Sequence, residues 1–179
     1  MNNAKEVLFG IYKLLASLIM WLPFRFFRQA FLRCCRMKMG KRNYISRNVE
    51  IRVPYNIQTG NNCIINKRVL LDGRCGKIII GNNVDIAQDV HIWTMEHDVD
   101  SENHKGSFAD VVVKDYAWIA SRATILPGVT VGKGSVVATG AVVTHDIPDG
   151  EVWGGIPAKF IKKRNMNLSY TLKNNTWFD

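Results

Sequence analysis

The feature that most constrains the fold of this chain is an aliphatic residue at every sixth position. From residue 113 to residue 148 the sequence divides into six consecutive hexads, VKDYAW, IASRAT, ILPGVT, VGKGSV, VATGAV and VTHDIP. The first position of each hexad is aliphatic, the fifth is mostly small, and glycine or polar residues fill most of the others. A period of six matches neither an α-helix nor an ordinary strand. A short fixed repeat is typical of stacked solenoid folds.

The same rule holds in an earlier block of the chain. TGNNCI and INKRVL begin at residue 59, and IGNNVD and IAQDVH begin at residue 80 after a short interruption. In a stacked solenoid each first-position aliphatic points inward from a short strand, and its full burial is worth about 1.5–3 kcal/mol. The small fifth residue faces inward where the wall turns, and backbone hydrogen bonds join one coil to the next. We therefore predict a mainly β protein that folds as a parallel β-helix.

The residues before the repeat form a segment of a different kind. Val7–Phe24 is apolar apart from Lys13, which is at the lower length limit for a membrane-spanning helix, and Pro23 is expected to end or kink it. A second predicted helix places Phe24, Phe27, Phe31 and Cys34 on one side and Arg25, Gln29, Arg33 and Arg36 on another. An aromatic stripe beside an arginine stripe suits a helix at a membrane interface. Residues 1–38 are therefore predicted to be membrane-associating, in a peripheral or re-entrant mode rather than as a true span.

The positive charge of the chain is concentrated in this segment. The formal net charge is +9, yet residues 1–45 contain nine lysines and arginines against Glu6 alone, while the rest contains 15 basic and 14 acidic side chains. A localised basic and apolar segment favours an anionic membrane surface over nucleic acid as a partner. Arginines follow the apolar run without a small-residue cleavage site, which argues against a signal peptide. The predicted location is cytoplasmic, peripheral to the inner face of the membrane. The alternative is that both helices pack on the main domain or on another subunit.

The hexads resemble those of the hexapeptide-repeat acyltransferases. The resemblance covers about residues 39–163 and is nearest to bacterial polysaccharide O-acetyltransferases of the colanic-acid type, which also resemble this chain in the run RFFRQAFLRCCRMKMGKRNYIS before the repeats. It implies a left-handed parallel β-helix with three sides per coil, a homotrimer with active sites shared between subunits, and acetyl-CoA as co-substrate without a metal. Residues 1–38 then form an N-terminal helical segment, and residues 164–179 form a C-terminal tail.

The repeat is interrupted by a polar stretch, residues 93–110, that contains His97 and His104. Long insertions in a regular scaffold tend to carry functional sites. His97 in MEHD resembles the catalytic histidine of the family, and a neutral imidazole is suited to take a proton from a hydroxyl group. Asp98 is expected to orient the acceptor or the imidazole, whereas His104 matches no family motif and is expected at the surface. A zinc site like that of the carbonic anhydrases of this fold is disfavoured because the chain lacks their close HxxxxH pair.

The resemblance also implies a coenzyme A site. By motif match its residues are Trp118, Ala120, Ser121, Thr139, Thr144, His145, Lys159 and Lys162. The turn GGIPAKFI resembles the family's GxPAKxI-like end of the β-helix, and its lysines suit the phosphates of the nucleotide. His145 departs from the family, which often has a lysine there. On the acceptor side, alignment of the hexads places Lys67 where relatives use an asparagine, with Asn66 beside it, so this position departs from the family.

Together these features predict an acetyl-CoA-dependent O-acetyltransferase that acts on a sugar hydroxyl in polysaccharide or glycolipid synthesis. His97 is the predicted general base. N-acetylation of an amino sugar, acetylation of a small alcohol such as serine or a xenobiotic, and a non-catalytic membrane-bound scaffold are the alternatives. Four cysteines without a CxxC pair favour a reducing compartment.

Overall fold

The computed structural model describes residues 3–173 of the chain, with side chains from Val7 onward except that of Phe9. The first two residues of the predicted 1–38 segment and the last six of the predicted tail lie outside this range. Two helices come first, α1 (Asn3–Trp21) and α2 (Arg25–Cys34). The chain leaves the helical conformation between them at Leu22 and Pro23, as the proline predicts.

Nineteen short strands follow within the described residues. They are β1 (Lys38–Met39), β2 (Tyr44–Ile45), β3 (Glu50–Arg52), β4 (Ile57–Thr59), β5 (Ile64–Ile65), β6 (Leu70–Asp72), β7 (Ile78–Ile80), β8 (Asp85–Ile86), β9 (His91–Trp93), β10 (Met95–His97), β11 (Gly106–Phe108), β12 (Val111–Val113), β13 (Trp118–Ile119), β14 (Thr124–Ile125), β15 (Thr130–Val131), β16 (Val136–Val137), β17 (Val142–Val143), β18 (Glu151–Gly154) and β19 (Lys159–Lys163). A single 3₁₀ turn, Pro54–Asn56, lies between β3 and β4.

Seventeen of these strands build three sheets, one for each side of a prism. The first sheet has the order β1-β4-β7-β12-β15, the second has β2-β5-β8-β13-β16-β18-β19, and the third has β3-β6-β9-β14-β17. All pairs are parallel except β18 with β19. Coil one is β1–β3, coil two is β4–β6, coil three is β7–β9, coil four is β12–β14 and coil five is β15–β17. Coil six is formed by the bridge of Ile147 to Val131 together with β18.

Side chains at the first hexad position form the core, as predicted. Ile119 is registered with Ile86 below it and with Val137 above it, and all three are fully buried. The fifth-position residues, such as Ala117 and Ser135, are also fully buried. The predicted fold class, a left-handed parallel β-helix with an N-terminal helical segment, is therefore confirmed.

The fourth hexad position adopts the left-handed backbone conformation, which the sequence did not predict. Arg68, Asp89, Tyr116 and Arg122 have φ values of 59°, 61°, 60° and 63°. Glycine occupies this position only in the last hexads, for example at Gly134. A left-handed conformation costs an ordinary residue roughly 1–2 kcal/mol, and the hydrogen bonds between successive coils offset that cost.

The helix α2 closes the open end of the β-helix. Arg28 is fully buried and donates from Nε and Nη2 to the carbonyl oxygen of Ile45 at 3.3 and 3.2 Å, and from Nη1 to that of Leu22. Gln29 donates to the carbonyl oxygen of Asn43 at 2.7 Å. The bonds to Ile45 and Asn43 satisfy carbonyls in and next to β2, which is an edge strand of the second sheet and would otherwise leave unpaired backbone groups.

The predicted faces of α2 need one correction. Phe31 is not on the outward face, because it packs on the core and stacks on Tyr12 with ring centroids 6.1 Å apart. Phe24 and Phe27 of the predicted stripe are exposed, and Phe26 is exposed in place of Phe31. The correction has a physical cause, since Arg28 and Leu32 must face β2 to close the prism and thereby fix the rotation of the helix.

The helix α1 touches the domain along a narrow line. Met20 is buried in the core, and the Tyr12 hydroxyl donates to the carbonyl oxygen of Ile51 at 2.7 Å. The opposite side exposes Val7, Leu8, Ile11, Leu14, Leu15, Leu18 and Trp21. Among residues 3–173, neither helix combines the length and hydropathy needed to cross a membrane.

The described part of the tail runs back along the corner between the first and second sheets. Arg164 donates to the carbonyl oxygens of Tyr116 at 3.2 Å and of Gly134 at 2.9 Å. The Leu172 N–H reaches the Asn83 side chain at 3.2 Å, in coil three. The tail therefore ties coils three to six together.

Candidate active site

The break in the repeat folds into a hairpin and not into an irregular loop. Strand β10 pairs antiparallel with β11, so that His97 lies opposite Gly106 and Met95 lies opposite Phe108. The hairpin leaves the β-helix after β9 and returns at β12, at the corner between the third and first sheets. It carries His97 to the outside of the prism, where this side chain is exposed.

Thr94 fixes the base of the hairpin. Its buried hydroxyl donates to the carbonyl oxygen of Asp72 at 2.6 Å and accepts the Gly76 N–H at 3.2 Å. Its carbonyl oxygen accepts the Ala109 N–H at 3.1 Å. One residue therefore joins the two ends of the hairpin to each other and to the coil below.

The geometry around His97 selects its tautomer. Nδ1 lies 3.0 Å from the carbonyl oxygen of His104, and a carbonyl oxygen can only accept. Nδ1 must therefore carry the proton, which leaves a lone pair on Nε2 of the neutral ring. The His104 ring also stacks on the His97 ring at 3.7 Å with an interplanar angle of 11°. His104, expected only at the surface, is exposed but orients the candidate base.

Asp98 shapes the turn of the hairpin. Its Oδ1 accepts the Asp100 N–H at 3.0 Å, and its own N–H donates to the carbonyl oxygen of Lys105 at 2.9 Å. Within the described chain its carboxylate has no hydrogen bond to the imidazole of His97, so its orienting role stays a prediction.

Two predicted donor-site residues lie on the corner between the second and third sheets, next to the exposed side chain of Trp118 on β13. The Ala120 N–H donates to the carbonyl oxygen of Val137 at 2.9 Å, so this donor is used by the coil above and is not available to a ligand. Ser121 accepts the Gly140 N–H at 2.9 Å through its carbonyl oxygen. In the part of the chain that the structure describes, no acceptor is recorded for the Ser121 N–H.

The other predicted donor-site residues follow in later coils. Thr139 is exposed one coil above Ser121. Thr144 and His145 come after β17, on the other side of the third sheet, with Thr144 Oγ1 2.8 Å from His145 Nδ1. The structure therefore places Ser121 and Thr139 on one line, and Thr144 and His145 away from it.

Lys159 and Lys162 share one face of the last hairpin. Lys159 lies opposite Gly154 and Lys162 lies opposite Val152, and a bulge falls between these pairs. Paired residues share a face, as do alternate residues of a strand, so the extra residue of the bulge turns both lysines to the same side. Both side chains are exposed.

On the predicted acceptor side, Asn66 is partly committed to the fold. Its Nδ2 donates to the carbonyl oxygen of Ile86 at 3.0 Å and to Asp85 Oδ1 at 3.4 Å, while Lys67 is exposed. Asp85 was not identified from the sequence, yet it neighbours Trp118 on the second sheet. Burial raises the pKa of its carboxyl group. The sequence signal that could have identified Asp85 is an acidic residue at the sixth hexad position, which faces outward.

The candidate base, His97, lies at one corner of the prism. The predicted coenzyme A residues Ser121 and Thr139, which we call the donor wall, lie at another. His97 projects from the corner between the third and first sheets, whereas Ser121 and Thr139 line the corner between the second and third sheets. Such an arrangement suits a site that two copies of the chain complete together. For a metal, residues 3–173 offer no group of three or more histidine, cysteine or acidic side chains able to hold an ion.

Comparison with known sequences agrees with this architecture. The sequence pattern of the family described as "Bacterial transferase hexapeptide (six repeats)" matches residues 110–145. An Escherichia coli K12 protein, provisionally named a colanic acid biosynthesis acetyltransferase, is 31% identical over 83% of this chain and 82% of its own length. The chain belongs to this hexapeptide-repeat family. It spans a smaller share, 56%, of a Saccharomyces cerevisiae protein provisionally named an acetyltransferase, with 42% identity over 60% of this chain.

Two solved structures share the fold along most of their length. A hexapeptide-repeat acetyltransferase of Vibrio cholerae, complexed with acetyl coenzyme A, superposes with a TM-score of 0.77 at 27% identity, covering 84% of both chains. A maltose O-acetyltransferase of Clostridium difficile superposes with a TM-score of 0.78 at 30% identity, covering 86% of this chain and 85% of that one.

Proposed function

We propose that the protein is an acetyl-CoA-dependent O-acetyltransferase whose acceptor is a sugar hydroxyl. The observation that carries this proposal is the geometry of His97. Its Nδ1 is held by the carbonyl oxygen of His104, so the free Nε2 is the basic atom, and it lies on a hairpin that projects from the prism. The acetyl-CoA complex of the Vibrio cholerae neighbour and the name of the Clostridium difficile maltose O-acetyltransferase support the donor and the acceptor class.

The proposed chemistry needs one base and one oxyanion donor. Nε2 of His97 removes the proton of the acceptor hydroxyl, and the oxygen attacks the thioester carbonyl carbon. The Ser121 N–H stabilises the negative oxygen that forms. When the carbon–sulfur bond breaks, the imidazolium returns its proton to the departing thiolate. The products are an acetyl ester and free coenzyme A, and His97 is neutral again.

We propose a homotrimer, as the family resemblance implies, and the separation of the two halves of the site supports an active site shared between subunits. His97 and the Ser121–Thr139 line occupy different corners of one prism, so we propose that the hairpin of one subunit faces the donor wall of the next. Lys159 and Lys162, on one face of the last hairpin, are placed to meet the phosphates of coenzyme A.

Turnover of His97→Ala tests the base. The substitution is expected to reduce acetyl transfer by about 10²–10⁴-fold, because a positioned base contributes that much, while the melting temperature stays unchanged. His91→Gln, which removes another exposed histidine, is the matched control and is expected to retain activity. Activity of His97→Ala within a few-fold of the wild type would contradict the assignment.

The acceptor class is tested by product analysis. The wild-type protein is incubated with acetyl-CoA and either maltose, glucosamine or serine, and mass spectrometry locates the acetyl group. We expect an ester on the sugar hydroxyl. An amide on glucosamine, or acetylserine alone, favours the alternative enzymes, and a protein that neither binds coenzyme A nor transfers acetyl groups favours the scaffold.

We further propose that the helical segment binds an anionic membrane surface. The outer sides of α1 and α2 both expose apolar side chains, with Trp21 63% and Phe26 74% exposed. Exposed basic side chains follow at the end of α2 and in the first coil, namely Arg33, Arg36, Lys38, Lys41 and Arg42. Large exposed apolar patches mark interaction sites, and these cations suit lipid phosphates. We expect the protein to pellet with anionic vesicles, only partly released by salt because the apolar contribution is not screened. If the protein does not bind such vesicles, the exposed apolar sides of α1 and α2 are covered by another subunit instead.

A further inference from the structure

The corner between the second and third sheets carries one continuous line of side chains. In the second sheet the core residues of successive coils are aligned, from Ile45 in coil one to Val137 in coil five. Each member of the line is the second residue after one of these core residues. The members are Arg47, Lys67, Gln88, Ser121 and Thr139. We call this set the corner line, and adjacent coils space its members about 4.8 Å apart.

Charge along the corner line is uneven. Arg47 and Lys67 are exposed in coils one and two, whereas the members in coils three to five are neutral. The next residues add Arg68 and Arg122, both exposed, and Asp89. Arg68 Nε and Nη2 hold the two oxygens of Asp89 at 2.6 and 2.9 Å. Arg68 and Asp89 therefore neutralise each other, and the exposed side chains of Lys67 in coil two and Arg122 in coil four carry positive charge close to the donor wall.

The position of these cations relative to the donor wall defines their role. In the proposed function Ser121 and Thr139 line the coenzyme A groove in coils four and five, with the thioester end near Ser121. The acceptor must approach the thioester from the side that coenzyme A leaves open, which is coils one to three of the same line. We infer that the acceptor carries a negative group, a phosphate or a carboxylate, which Lys67 binds. This inference rests on the proposed function and narrows its acceptor to acidic or phosphorylated sugars.

A competing partner for these cations is the hairpin of a second subunit, which carries Glu96, Asp98, Asp100 and Glu102. Two observations favour the acceptor. The hairpin leaves the prism above coil three, whereas Lys67 and Arg47 lie one and two coils below that level. The Asp98 carboxylate is already bonded to the turn through the Asp100 N–H. The two arrangements predict different results. If the hairpin of a second subunit binds these cations, loss of Lys67 would weaken subunit association.

Direct binding, which needs no turnover, tests the inference. Isothermal titration of the full-length protein with coenzyme A present compares glucose, glucose 1-phosphate and glucuronic acid. We expect at least one of the two anionic sugars to bind at least about tenfold more tightly than glucose, the usual size of one charge-assisted contact, and the better of the two identifies phosphate or carboxylate. Lys67→Gln is expected to abolish this preference and Lys67→Arg to retain it. Lys133→Gln, at the same hexad position on another corner, is the matched control and is expected to bind like the wild type.

Several results would overturn the inference. Equal binding of glucose and both anionic sugars does so, and so does an unchanged preference in Lys67→Gln. A Lys67→Gln protein that sediments as smaller species without losing the preference assigns the cations to the subunit interface. A different result would show that the proposed function is wrong. In that case the preference for anionic sugars and its loss in Lys67→Gln would be observed, but no acetyl group would be transferred to any of the three sugars.

Discussion

The coils of the β-helix and the two helices before them contain the same kinds of aliphatic residue and place them in opposite environments. Ile119 and Val131 in the coils are fully buried. Leu14 and Leu18 in α1 are 61% and 59% exposed. Ile119 and Val131 stand at the first hexad position, whereas the aliphatic residues of α1 are spread over most sides of a helix that touches the domain along one line.

This difference shows that period, and not hydropathy, decides where an apolar residue lies. A six-residue period returns each first-position side chain to the inside of a closed prism, so every coil covers the aliphatics of its neighbours. A helix that is apolar on most sides buries all of its surface only within a larger apolar environment. The end of a single β-helix can cover only one side of α1, and the remaining side is available to a second partner.

The largest effect on stability is expected from a core residue of the coils. Ile119→Ala removes a fully buried side chain between two rigid neighbours, so we expect the free energy of unfolding to fall by about 2–5 kcal/mol. Urea denaturation with an unchanged slope measures it. Val142→Ala, which shortens a half-buried outward residue of β17, is expected to cost much less. Similar losses in the two variants would contradict the view that first-position residues form the core.

Much of this fold was predictable because the repeat leaves few choices. The first hexad position is aliphatic and the fifth is mostly small, and both recur at a fixed spacing. Their burial could therefore be predicted from the sequence. The left-handed conformation of Tyr116 and Arg122 could not, because bulky residues resist positive φ. There the hydrogen bonds between coils override the preference of the single residue, and these bonds exist only after stacking.

The candidate site divides in the same way. The position of His97 was predictable because the repeat stops there, and its role as base stays a prediction. The contact of its Nδ1 with His104 was not predictable, since it depends on the turn that brings residue 104 back beside residue 97. The burial of Arg28 was missed for a similar reason. An arginine in a basic segment suggests an exposed cation, whereas the edge carbonyls of coil one require a buried donor.

A second substitution tests whether α2 contributes to the stability of the β-helix. Arg28→Met keeps an unbranched side chain but removes the donors to the carbonyl oxygens of Ile45 and Leu22. Each buried acceptor left without a partner costs about 1–3 kcal/mol, so thermal and urea unfolding should show a clear loss of stability. Arg36→Met, exposed just after α2, is the control and should be nearly neutral. Equal stability of both variants would mean that α2 is not needed to close the prism.

The smallest effect on stability is expected from the exposed side of α1. Replacing Leu14 and Leu18 together by serine removes no core contact, so the free energy of unfolding should change by no more than about 0.5 kcal/mol per site. Binding to anionic vesicles should nevertheless weaken by about 10²-fold, because each leucine that enters the acyl boundary contributes about 1.5–3 kcal/mol at full burial. Val99→Ser removes an equally apolar and more exposed residue, 94% exposed at the tip of the hairpin, and should leave vesicle binding unchanged. Vesicle flotation and urea unfolding of the same three proteins separate the two quantities. A double variant that is strongly destabilised, or that binds vesicles like the wild type, would assign the outer side of α1 to a protein contact and remove the contrast between the two regions.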